Sequence, residues 1–198
     1  MLLSECTAAQ AFSSPPPMSA EPALMSMAVL LAPDEDWALS LLGLVSDSLL
    51  DPGRVRRDYH DWLDDPSWSK AELARQALLT GLTGSLWGLD PVLVGFDWRA
   101  SAEEMHNSLR RIPLSPLAAW DPESTVRYTR SDPDAAAPYL REAARRSREA
   151  GMALFRIHIG DSFELGFVRA DRGELLLTDA ARAGYTAATD HVFELVDG

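Results

Sequence analysis

Residues 153–185, ALFRIHIGDSFELGFVRADRGELLLTDAARAGY, contain the pattern that most constrains the fold. Large apolar residues alternate with polar or small ones along 153–159 and again along 163–168, which is typical of two β-strands. The glycine and polar residues at 160–162 indicate the connection between these strands. Helical spacing follows over 171–184, so the stretch predicts a hairpin and then a helix.

The register of this hairpin decides which side chains share a face of the sheet. A two-residue turn pairs Ile157 with Glu164, whereas a three-residue loop pairs His158 with Glu164. Only the three-residue loop puts every large apolar side chain on one face, and a slip of one residue destroys that arrangement. We therefore expect the three-residue loop, with His158 opposite Glu164 and Arg156 diagonal to the pair.

The chain on either side of the hairpin predicts more helices than strands. Helix starts are indicated by the acidic residues after Pro33 and by Ser-x-x-Glu capping boxes at Ser69 and Ser101. Apolar spacing predicts helices over 33–50, 55–63, 69–80, 101–109 and 134–150, and strands over 91–98, 125–129 and 191–196. This order predicts an α+β fold, in which a small antiparallel or mixed sheet has helices packed mainly on one face.

The first 22 residues differ in composition from the rest of the chain. They hold four of the 13 prolines together with several serines. Such a segment buries too little apolar surface to offset the entropy of ordering it. We expect residues 1–22 to be a disordered tail and residues 23–198 to form a single α+β domain.

Charge and targeting signals limit the classes of function. The chain has 30 acidic and 18 basic residues and a net charge of -12, which excludes general nucleic-acid binding and disfavours docking on anionic lipid. The single cysteine, Cys6, excludes an internal disulfide. No basic residue precedes the short apolar start, and no apolar run approaches the roughly 20 residues of a membrane span. We expect a cytoplasmic protein.

Two segments, VGFDWRASAEEMHNSL at 94–109 and IGDSFELGFVRADRGELLLTDAARAGY at 159–185, resemble a bacterial domain family of unknown function. The resemblance extends over about residues 30–198 and consists of apolar patterning and turns. It implies a small cytosolic bacterial α+β protein. It implies no activity and assigns no catalytic residue.

The hairpin carries the main candidate site. Arg156, His158 and Glu164 are expected to project together, and an imidazole oriented by a carboxylate serves as a base or as a ligand. This trio is consistent with a small hydrolase, or with a protein that binds an anionic ligand through Arg156. The alternative is an exposed cross-strand pair that contributes under about 1 kcal/mol.

Other motifs are incomplete. Glu103 and His106 have the Glu-x-x-His spacing of di-metal carboxylate bundles, but such sites need a second pair and two further glutamates. The glycines around Ser85 do not have the spacing of a nucleophile elbow and fit better a helix end that packs around Trp87. The sequence therefore predicts no metal site and no cofactor.

An acidic segment near the centre of the chain suggests a different function. Its expected partner-binding residues are Asp58, Asp61, Asp64, Asp65 and Trp68. Trp62 is expected on the buried side of the helix over 55–63, whereas Trp120, in a proline-rich loop, is a second candidate anchor. The charge favours a non-enzymatic interaction protein of the inhibitor or immunity type that binds a basic protein. The sequence leaves the oligomeric state open.

Overall fold

A computed structural model describes residues 20–120, 136–189 and 191–198, which form helices around a four-stranded sheet. The helices are α1 (Ala20–Leu31), α2 (Glu35–Leu50), α3 (Pro52–Asp58), α4 (His60–Leu63), α5 (Lys70–Leu82), α6 (Ala102–Leu109), α7 (Ala136–Glu149) and α8 (Gly173–Ala183). The strands are β1 (Leu93–Asp97), β2 (Met152–Ile159), β3 (Ser162–Arg169) and β4 (His191–Leu195). All pairings are antiparallel, in the order β1-β3-β2-β4. The α+β class is confirmed.

Apolar side chains cover both faces of the sheet. On the first face, Phe155, Ile157 and Val168 pack against α1, α8 and the helices behind them, α2 and α5. On the second face, Leu165 and Phe167 pack against the smaller group formed by α6 and α7. Most helices therefore lie on one face, as expected, but the other face is also buried rather than open to solvent.

The predicted hairpin register is wrong by one residue. A two-residue turn at Gly160 and Asp161 joins the strands, so Ile157 pairs with Glu164 and His158 pairs with Phe163. The prediction required one apolar face and one polar face, but helices on both sides of the sheet remove that requirement. Gly160 has a φ of +55°, which suits the tight turn.

The two Ser-x-x-Glu motifs marked helix starts correctly. Both capping boxes form: the Ser69 side chain accepts from the Glu72 backbone N–H, and the Ser101 side chain accepts from that of Glu104. Pro33, expected in the first turn, lies before α2, which begins at Glu35 and is capped by the Asp34 side chain. A helix start at Asp171 is wrong, since α8 begins at Gly173 after a 3-10 turn.

The first helix, α1, was not predicted from the sequence. Its residues 20–22 lie within the expected tail, so the helical chain begins earlier than residue 23. Residues 1–19, the expected strand over 125–129 and the first two residues of the expected helix over 134–150 lie outside the described residues. In the part of the chain that the structure describes, no helix has the length and apolar character needed to cross a membrane.

Candidate functional site

The structure separates the three residues of the predicted trio. Arg156 and His158 project from the second face of the sheet, whereas Glu164 pairs with Ile157 and projects from the first. The one-residue change of register is the cause. The carboxylate that meets both Arg156 and His158 is Glu194, on the neighbouring strand β4.

Glu194 neutralises Arg156. The Arg156 guanidinium donates two hydrogen bonds to Glu194 Oε1, and His158 Nε2 lies 3.3 Å from the same oxygen. Partial burial raises the pKa of Glu194, but the hydrogen bonds and charge of Arg156 outweigh this and bring it below its usual value. Arg156 and His158 line a cavity of about 560 Å³ beside Trp98. Because Arg156 is already paired with Glu194, its charge is not free to bind an anionic ligand in this cavity.

Glu164 lies instead in a cleft between the first face of the sheet and α5. The cleft has a volume of about 310 Å³. Its described lining residues are Trp62 from α4; Gln76, Leu79 and Thr80 from α5; Thr83 and Ser85 after α5; and Ile159, Glu164 and His191 from the sheet. Gly95, opposite Glu164 on β1, has no side chain to fill the space; a Cβ there would lie 3.9 Å from Glu164 Cγ.

The carboxyl group of Glu164 is strongly desolvated. Its Oε2 is buried and has no hydrogen-bond partner among the described residues. Burial raises its pKa from 4.5 to about 7. Glu164 is therefore close to half-ionised at neutral pH, which is unusual for a carboxyl group and typical of functional positions.

The α5 wall of the cleft is polar. Gln76, Thr80 and Thr83 follow one another at i, i+4 and i+7, so they form a stripe on one side of the helix. The Thr83 hydroxyl donates to the Thr80 carbonyl oxygen at 2.7 Å and lies 2.9 Å from Ser85 Oγ. Among the described residues, no group hydrogen-bonds to the Gln76 amide side chain or the Thr80 hydroxyl.

His191 is fixed at the opposite side of the cleft. Its Nδ1 lies 2.6 Å from the Thr189 carbonyl oxygen, so this nitrogen carries the proton and donates. In the neutral ring, Nε2 is then an acceptor. A smaller cavity of about 190 Å³ shares Gln76 and His191 with the cleft and is lined on its far side by Trp68 and Arg75.

The acidic segment borders the cleft through Trp62. Asp58, Asp61 and Asp64 are exposed, and Trp62 is 52% exposed, so the prediction that Trp62 is buried is wrong. The break between α3 and α4 at Tyr59 changes the helical phase that the prediction assumed. We call Asp58, Asp61, Trp62 and Asp64 the Trp62 surface.

The other two residues proposed for this segment have structural roles. Asp65 accepts hydrogen bonds from the Ser67 backbone and hydroxyl, which lower its pKa. Trp68 packs on the cluster around α5, and its carbonyl oxygen accepts a 2.7 Å hydrogen bond from Arg56. Trp120, the other expected anchor, packs against the second-face core, with its ring stacked on Tyr139.

The Glu-x-x-His motif of Glu103 and His106 is not part of a metal site among the described residues. In residues 20–120, 136–189 and 191–198, no group of three or more His, Cys, Asp or Glu side chains is arranged to hold a metal ion. His106, from the Glu-x-x-His motif, is buried with its Nδ1 3.4 Å from the Tyr139 hydroxyl and its ring edge-on to Trp120.

The Glu164 cleft itself was not predicted from the sequence. One signal for it was present: Gln76, Thr80 and Thr83 are a polar stripe on a helix whose other inward residues are apolar. The position of His191 opposite this stripe depends on the pairing of β4 with β2, which the sequence does not specify.

A family model described as "Domain of unknown function (DUF6630)" matches residues 23–191. Neither a curated protein nor a solved structure matches the chain. The matched residues include every described residue that lines the Glu164 cleft and the whole Trp62 surface. The chain therefore belongs to the DUF6630 family.

Proposed function

We propose that this protein is a non-enzymatic binding protein, of the inhibitor or immunity type, whose partner presents a basic surface. The observation that carries the proposal is the exposed ring of Trp62 beside exposed carboxylates, at the mouth of a cleft that contains Glu164. Exposed tryptophans are enriched among residues that dominate binding energy. Carboxylates around such an anchor steer a basic partner towards it.

Two of the three arginines of α3 bond to groups outside the Trp62 surface, and the third, Arg57, is exposed next to Asp58 in the chain. Arg54 is paired with Asp47 on α2, and Arg56 is directed towards the Trp68 carbonyl oxygen. Both therefore bond to groups outside the Trp62 surface. The net charge of -12 supports the same choice of partner.

The first test compares two tryptophan variants. The probe is a short peptide of alternating arginine and glycine, titrated at low salt with binding followed by calorimetry. We expect Trp62→Ala to weaken binding about tenfold or more, because it removes the anchor of the interface. Trp98→Ala is the matched control, since Trp98 is also exposed, at 61%, but follows β1 and lies outside the Trp62 surface.

The second test separates the Trp62 surface from total charge. The triple variant D58N/D61N/D64N and the control E35Q/D36N/E174Q remove the same number of exposed carboxylates. We expect only the first to slow association and to flatten its dependence on salt. Equal effects of the two triple variants, or of the two tryptophan variants, would show non-specific attraction and contradict the proposal.

The geometry favours a binding role over the hydrolase alternative. His158 and Arg156 share a single carboxylate, Glu194, and Glu164 is on the other side of the sheet. No serine, threonine or cysteine is placed beside His158 with a nucleophile's hydrogen bond among the described residues. The alternative would need a base–nucleophile contact of about 3 Å, as the general pattern for activated nucleophiles requires.

A further inference from the structure

The Glu164 cleft holds a carboxylate that has no cationic neighbour of its own. The described residues that line the cleft include no lysine or arginine, and Glu164 Oε2 has no hydrogen-bond partner among them. An ionised carboxylate that is buried without a counter-charge is unfavourable. A cation that enters the cleft removes that cost and gains a charge-assisted hydrogen bond.

The rest of the cleft suits a small organic cation. The Gln76 carbonyl and the Thr80 hydroxyl supply acceptors on the α5 wall, and Trp62 supplies an aromatic face at the mouth. The volume of about 310 Å³ is at the lower end of the roughly 300–1,000 Å³ of small-ligand sites. That size suits a single side chain better than a nucleotide or another large cofactor.

We infer that the cleft receives one cationic side chain of the basic partner, a guanidinium or ammonium group that pairs with Glu164. This inference rests on the proposed function, because the Trp62 surface brings that side chain to the mouth of the cleft. The same chemistry is offered by a free amine or guanidine, so the experiment compares both sources. Glu164 has the central role, and Gln76 and Thr80 position the cation against it.

Binding should depend on pH through Glu164. The other titratable or charged groups around the cleft are His191 on β4, Tyr185 after α8 and Arg75 on α5. With a pKa of about 7, Glu164 is mostly ionised at pH 8 and mostly protonated at pH 5.5, so cation binding should weaken about 30-fold between these values. A guanidinium keeps its charge throughout. His191→Asn should retain this dependence, and Glu164→Gln should abolish it.

The experiment titrates the full-length protein with two probes, ethylguanidinium and the arginine–glycine peptide, and follows binding by NMR chemical shifts. Glu164→Gln keeps the size of the side chain and removes its charge. We expect it to weaken both probes by about tenfold or more. The D58N/D61N/D64N variant should weaken only the peptide, since none of these three aspartates lines the cleft that ethylguanidinium occupies.

The outcomes distinguish this inference from the proposed function. If the surface variant weakens the peptide and Glu164→Gln changes neither probe, the proposed function stands and the inference is overturned. If Glu164→Gln weakens ethylguanidinium but leaves the peptide unchanged, the cleft takes a free small cation and the inference about a partner's side chain is also overturned. If the surface variant has no effect on the peptide, the proposed function fails.

Discussion

Replacing Gly84 with alanine is expected to lower the free energy of unfolding by about 3–4 kcal/mol. Gly84 has a φ of +73°, and a Cβ there would lie 2.3 Å from the Leu89 carbonyl oxygen. The left-handed conformation costs an L-residue about 1–2 kcal/mol, and crowding against backbone adds a similar or larger amount. Because Gly84 lies between Thr83 and Ser85, the variant should also distort the α5 wall of the cleft.

Gly88→Ala is the matched control for this experiment. Gly88 also has a positive φ, +63°, but a Cβ there would meet nothing within 4 Å. The Gly88→Ala variant should therefore lose only the free energy that the left-handed conformation costs an alanine, about 1–2 kcal/mol. Urea-induced unfolding of the two variants measures the difference. Equal losses would show that the close approach of Leu89 to Gly84 is not a constraint.

Replacing Glu164 with glutamine should change the free energy of unfolding by an amount that depends on pH. We expect the value for the variant minus that for wild type to be about 3 kcal/mol more favourable above pH 7 than at pH 4. The folded pKa of about 7 is above the ordinary value of 4.5, so the folded state holds the proton more tightly than the unfolded state does. Stability due to this group is present below pH 4.5 and is lost as pH rises to 7. Each tenfold difference in proton affinity corresponds to about 1.4 kcal/mol.

The measurement is the difference in urea-unfolding free energy between wild type and Glu164→Gln at pH 4, 5.5 and 8. Glutamine has no proton to lose, so this difference isolates the carboxyl group. Glu174→Gln, at an exposed position of α8, is the control for removing one negative charge. A difference that stays constant with pH would mean that Glu164 is solvated in the folded protein.

Elements with local signals were predicted well. The capping boxes at Ser69 and Ser101 depend on contacts within three residues, and both form. The segment around Trp87 is a helix end packed against Trp37, with ring centroids 5.6 Å apart, as the glycine spacing indicated. The order of helices and strands was therefore predictable for most of the described chain.

The hairpin register was not predicted because it depends on what covers the sheet. Arg156 and His158 suggested a solvated face, but Glu194 and α7 share that face with them. The turn carried the opposite signal, since Gly-Asp is a favoured two-residue connection. In this protein the local turn geometry agreed with the structure, and the assumption of a single apolar face did not.

The candidate site in the structure differs from the predicted one because the hairpin register differs. The slip of one residue moved Glu164 away from His158 and placed it under α5, where burial alters its ionisation. The exposure of Trp62 depends on the break between α3 and α4, which no strong helix-stop residue indicates. The acidic segment itself was visible in the sequence, but the cleft beside it required the tertiary packing.

Glu164 is a half-buried residue with a buried carboxyl oxygen, and we infer that a cation stabilises its ionised form. The most direct measurement is an NMR titration of the Glu164 carboxyl carbon with and without ethylguanidinium. We predict a midpoint near pH 7 in the free protein and a lower midpoint with the cation present. A midpoint near the ordinary value of 4.5 that does not move when the cation is added would contradict the account.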